Sequence, residues 1–167
     1  MAFKYTLVAS MDLRASISIA DAAALEYLVC GIGALPATPP AHPFFELPES
    51  RSPFAEAYSH FSPGEFELSL TTPPTGPHTF PAGYSVALRL PYLRLEETHA
   101  YFEFLGWLSR LAESDGFVGT LHTSGPHIAP TLLFVYGGEV YFDDYQGRPT
   151  PYHNQVANTA PHIGVSQ

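Results

Sequence analysis

Between residues 84 and 144 the hydrophobic and polar positions change period several times, and each period assigns an element. Tyr84–Leu90 alternates, with Val86, Leu88 and Leu90 on one side, which predicts a strand whose core face carries those three. From Glu96 to about Ser114 the spacing becomes helical. Tyr101, Phe104, Leu105, Leu108, Leu111 and Ala112 form one stripe, and Glu96, His99, Glu103, Ser109, Arg110 and Glu113 fall opposite. Trp107 and Phe102 flank the stripe and widen the apolar arc beyond what contact with a sheet requires. Asp115-Gly116 stops the helix, and Phe117–His122 follows as a short strand. Thr131–Tyr136 and Glu139–Asp144 then alternate on either side of Gly137-Gly138, a pair able to take the positive φ angles of a two-residue hairpin turn.

Register follows from that turn. If Tyr136 pairs with Glu139, Val135 lies opposite Val140 and Leu133 opposite Phe142, and these four make the core face. Phe134 then sits opposite Tyr141 on the reverse face, beside Tyr136 and Leu132. An aromatic patch on the side away from the helices is therefore expected.

The first half of the chain is read the same way. Phe3–Ala9 alternates as a strand, and Ser18 with Asp21 resembles a capping box before a helix over 19–31 that ends at Gly31 and Gly33. Cys30 lies in the apolar run Leu28-Val29-Cys30 and is expected to be buried. Six prolines between 36 and 53 exclude a persistent helix or central strand. Phe44, Phe45, Leu47 and Phe54 are too apolar for a free linker, so this loop is expected to lie on the main body, with a short helical turn at 53–60. Glu65–Thr71 alternates as a half-solvated strand, and a second proline cluster at 73–81 joins it to the strand that Pro91 is expected to end.

This order predicts an α+β domain over residues 1–145: a mostly antiparallel sheet of five to six strands, with two helices on one face. The long proline-rich connections, 32–63 and 72–83, should decorate one end or the open sheet face. Residues 146–167 read as an irregular tail.

Composition narrows the function classes. At 167 residues with 46% hydrophobic positions the chain is long enough for one well-filled core. A single cysteine excludes an internal disulfide and any multi-cysteine metal cluster. No secretory apolar region fits the first residues, and the longest apolar stretch, Ile17 to Leu35, carries Asp21 and Glu26, so a soluble cytoplasmic protein without a membrane span is expected. Lys4 is the only lysine, and the net charge is −9. Nucleic acid is a poor partner for such a field, whereas a basic protein would be steered toward it.

Candidate chemistry is sparse. His122 and His127, five apart, together with Asp143 could hold zinc with an open position, but the spacing matches no established metal pattern. Ser124 with a histidine and Asp143 lacks the nucleophile-elbow glycines. The acid pairs Glu65/Glu67, Glu96/Glu97 and Asp143/Asp144 read as solvated faces and caps, and no phosphate-binding glycine pattern occurs. No cofactor is expected. Greater weight falls on Phe134, Tyr136, Tyr141, Trp107 and Glu139 as an aromatic and acidic surface. The leading expectation is a non-enzymatic acidic domain that binds a basic protein, such as an inhibitor or immunity-like protein. Two competing classes are an enzyme or small-ligand binder, with a pocket between sheet and proline-rich loop lined by Tyr84, Tyr136, Tyr141, His122 and His127, and a homodimer subunit that pairs its exposed sheet face.

Overall fold

Leu7, Ala9, Met11 and Leu13 alternate with exposed residues along the first strand, and this buried comb is the centre of the core. The structure, a computed structural model, describes residues 4–62, 65–73, 83–124, 129–143 and 150–152. Its strands are β1 (Tyr5–Asp12), β2 (Glu67–Thr71), β3 (Ser85–Leu93), β4 (Gly116–Thr123), β5 (Thr131–Tyr136), β6 (Glu139–Asp143) and β7 (Thr150–Pro151). They form one antiparallel sheet in the order β2-β3-β1-β4-β5-β6-β7. The α+β class stands, but the strand number is seven rather than five to six. The additional strand lies in the segment expected to be irregular tail, and two residues, one of them proline, carry no alternation to read.

A second correction concerns β3. Pro91 does not end it: the strand continues to Leu93 through a bulge, since Leu7 faces Leu90 while Tyr5 faces Leu93. The ladder to β2 reaches only to Arg89, so Pro91 interrupts no bond on that side. The bulge places Tyr92 at φ 60, a left-handed conformation that a bulky side chain rarely adopts.

Three α-helices are present among the described residues: α1 (Ile19–Leu25), α2 (Phe54–Ala57) and α3 (Leu95–Leu111). Ser18 caps α1 by accepting from the Asp21 N–H at 3.0 Å. Beyond Leu25 the helix widens into a π turn, Glu26–Cys30, closed by Gly31 at φ 67. Leu28 and Val29 are buried there, but Cys30 is exposed, contrary to expectation, because it falls at the margin of the stripe that Ala24, Leu25, Leu28 and Val29 define. Partial burial and then the Glu26 charge hold its thiol pKa above the usual value.

The proline-rich segment belongs to the helix layer and not to the open face of the sheet. Two 3-10 turns, Pro43–Glu46 and Pro48–Arg51, and then α2 carry it across α3. Phe44 is fully buried there, with its ring 5.4 Å from that of Phe104, and Phe54 lies 4.8 Å from Phe104 edge-on. Helix α3 is therefore sandwiched between sheet and proline-rich segment. The β5–β6 hairpin closes on α3 as well, with the Ser109 hydroxyl on the Gly138 carbonyl and Glu103 in a cleft with Val140 and Tyr152, so both residues, expected on a solvated face, are buried. The loop at 74–82 and tail positions 146–149 and 153–167 lie outside the described residues.

Candidate functional site

One face of the sheet is taken by the helices, and the alternate residues of every strand point to the other. At the β4–β5–β6 end of that other face the register places Phe117 opposite Phe134 and Phe134 opposite Tyr141. Tyr136 pairs with Glu139, as the turn arithmetic predicts. The four rings are continuous. Phe117 and Phe134 meet edge-on at 5.7 Å, Phe134 and Tyr136 stack at 5.9 Å, and Tyr136 meets Tyr141 edge-on at 5.5 Å. Phe117 is 59% exposed and Tyr136 40%, while Phe134 and Tyr141 are half-buried.

A bulge explains why Phe117 escapes the sequence pattern. Phe117 faces Phe134 and Gly119 faces Leu133, so Val118 is an extra residue on β4 and the alternation slips by one. Val118 and Gly119 are both buried as a result, and Phe117 turns outward. Gly119 is required there, since a Cβ would stand 2.0 Å from the Val8 carbonyl oxygen.

Acids surround the rings. Glu139 and Asp143 extend from β6 on the same face, and Asp12 and Asp115 line a small cleft of about 120 Å³ beside Phe117. Asp115 also accepts from the Gly137 N–H at 3.0 Å, which ties the hairpin tip to the end of α3. The Ser109 hydroxyl donates to the Gly138 carbonyl at 2.7 Å and fixes the other side of that tip. The aromatic face is thus mounted on a braced hairpin.

Trp107 is not part of this surface. It is 2% exposed and lies in the helix layer, stacked parallel to Phe44 and edge-on to Phe45, with its indole N–H donating to Asp21 Oδ1 at 3.0 Å. What reads as a broad apolar arc on α3 has two further contacts: its Trp107 flank packs on the proline-rich segment, and its Phe102 flank on Phe142 and Tyr152.

The metal candidates do not converge among the described residues. His122 is exposed on β4, its Nε2 2.9 Å from the Thr120 hydroxyl. Asp143 pairs with Leu132, so β5 separates the two by on the order of 10 Å. His127 and Asp144 lie outside the described residues. No group of three His, Cys, Asp or Glu side chains is close enough to hold a metal among those described. Ser124 serves the backbone, accepting from the Lys4 N–H at 3.0 Å. Tyr84 packs against the core on the helix side, so it does not share a pocket with Tyr136, Tyr141 and His122.

A different cleft, of about 430 Å³, opens where the proline-rich segment meets the end of β3. Tyr92 forms one wall, its ring stacked on Phe61 at 5.8 Å with Lys4 Nζ 5.1 Å above it. Tyr58 and Tyr101 lie beneath, both buried, and burial raises both phenol pKa values. These hydroxyls stay protonated across the neutral range and are hydrogen-bonded to each other.

No helix among the described residues is long and apolar enough to cross a membrane. No protein-family model, curated protein or solved structure matches this chain.

Proposed function

We propose that this chain is a non-enzymatic binding domain whose open sheet face docks a basic protein, in the manner of an inhibitor or immunity-like protein. The observation that carries this reading is the continuous row Phe117–Phe134–Tyr136–Tyr141, with Phe117 and Tyr136 exposed and four carboxylates at its margin. Aromatic side chains dominate binding energy at protein interfaces, and flanking charges set the on-rate and the sign of the partner. A net charge of −9 with one lysine gives the whole molecule the field that such steering needs. The reading places the protein in the cytoplasm, requires no cofactor and involves neither nucleic acid nor a membrane.

Paired capture tests it. Wild-type protein and a Phe117→Ser/Tyr136→Ser double variant are immobilised and exposed to the same native lysate at low and high salt. The reading expects one stoichiometric basic protein on the wild type, lost from the variant and weakened by salt. Equal recovery on both baits contradicts it. A wild-type mass in solution of two chains, reverting to one in the variant, would assign the face to a homodimer instead.

The cleft beside Tyr92 supports a second reading, as a small-ligand binder at the junction of sheet and proline-rich segment. Its support is a non-glycine residue held at φ 60 on a pocket wall, since such strain collects at ligand sites. A thermal-shift screen of planar aromatic ligands tests it. Stabilisation lost on Tyr92→Ala favours this reading, and absence of any shift counts against it.

A further inference from the structure

We propose that the cleft between α3 and β6 binds an alkylguanidinium group, with the Glu103 carboxylate as its counter-charge. The cleft has a volume of about 320 Å³ and lies on the helix side of the sheet, away from the aromatic face. Glu103 lines it and is only 7% exposed, and among the described residues no hydrogen bond reaches its carboxylate. No side-chain oxygen sealed from water lacks a hydrogen-bond partner among the described residues, so the Glu103 carboxylate keeps contact with the cleft. A cation delivered into the cleft can pair with it there, where the low exposure of the residue strengthens the attraction.

The walls suit a planar cation better than a compact one. Phe102 and Tyr152 meet with ring centroids 5.0 Å apart beside Glu103, and guanidinium groups stack on such rings while pairing with a carboxylate. Tyr152 is held in place by its hydroxyl, 2.9 Å from His99 Nδ1. Burial and then the Glu103 charge push its pKa up to about 12, so the phenol stays neutral and does not compete for the cation.

Gly106 forms part of the lining in the interior of a helix, where glycine is unfavourable. A Cβ there would meet the His42 ring at 3.6 Å, an ordinary contact, so steric exclusion does not account for the glycine. Its effect is to leave the space open. Arg110 lies two helical turns beyond Glu103 in the same lining and is exposed. It is the internal competitor for the carboxylate.

Titration calorimetry on the full chain decides the matter, with butylguanidinium, an acetyl-Gly-Arg-Gly amide peptide and neutral butylurea as probes. One butylguanidinium per chain with Glu103→Gln weakening it about tenfold or more supports a free small-molecule ligand. Binding of the peptide alone, with the same Glu103 dependence, supports an arginine side chain from a partner. Butylurea binding as well as butylguanidinium, unchanged affinity in Glu103→Gln, no binding of either cation, or binding that emerges only after Arg110→Ala overturns the proposal. Should Glu103→Gln not fold, amide shifts in the wild-type protein replace it. Movement at Glu103, Gly106 and Val140 on adding butylguanidinium supports the site, and silence there overturns it.

Discussion

Phe117 and Gly119 stand two positions apart on β4 and face opposite sides of the sheet, because Val118 is taken up by a bulge between them. A methyl group at Gly119 would collide with the Val8 carbonyl oxygen at 2.0 Å and with the Ala9 Cα at 2.7 Å, in the middle of the sheet where neither strand can retreat. Gly119→Ala is therefore expected to destabilise the protein by about 3 kcal/mol, read from the midpoint of urea unfolding. Tyrosines supply a pH dependence. Tyr58, Tyr101 and Tyr152 all have folded pKa values raised above the unfolded phenol value, chiefly by burial. Above about pH 10 the unfolded chain gives up these protons first. Their stabilising contribution is complete below that pH and is lost as pH climbs through the folded values, about 12 for Tyr152. Stability measured from pH 8 to 12 should fall above about 10, and Tyr152→Phe should flatten part of the fall.

Of the elements, the β5–β6 hairpin shows the tightest link between sequence and geometry. Gly137 and Gly138 sit at φ 58 and 81, so a β-branched residue pays a steric penalty there that glycine does not. Gly137→Val is expected to cost about 1 to 2 kcal/mol, whereas Gly137→Asn, which tolerates this conformation, should leave the unfolding midpoint nearly unchanged. This hairpin was legible in the sequence because alternation on both sides and a two-glycine turn leave one register. Helix α3 was legible too, since its stripe is long and the change of period is abrupt. What escaped did so for definable reasons. Pro91 reads as a stop, but a bulge lets β3 pass it. Val118 breaks the alternation that would have placed Phe117 on the open face. Trp107 and Phe102 read as an excess of apolar surface, because nothing local shows that the proline-rich segment covers Trp107 or that Phe142 and Tyr152 cover Phe102. β7 is too short for any period, and its contribution comes through Tyr152 packing on Phe102 and Phe142.

At the scale of the molecule, the described residues divide the sheet into a sealed face and an open one. Helices α1 and α3 and the proline-rich segment cover the first. On the open face the β2–β3 end is polar, with Glu67, Ser69, Thr71 and Arg89 exposed, and the aromatic row stands at the β4–β6 end. At the far edge Pro151 lacks an N–H, so that edge is a poor template for adding another strand. Contact between the aromatic row and a basic partner can be read by photocrosslinking in the cell that makes the protein. A benzophenone amino acid is placed at Phe117 or, as a control on the same face, at Ser69. The expected result is a crosslink from position 117 to one basic protein of a different sequence, and none from position 69. A crosslink from position 117 to a second copy of this chain, or the same products from both positions, would contradict it.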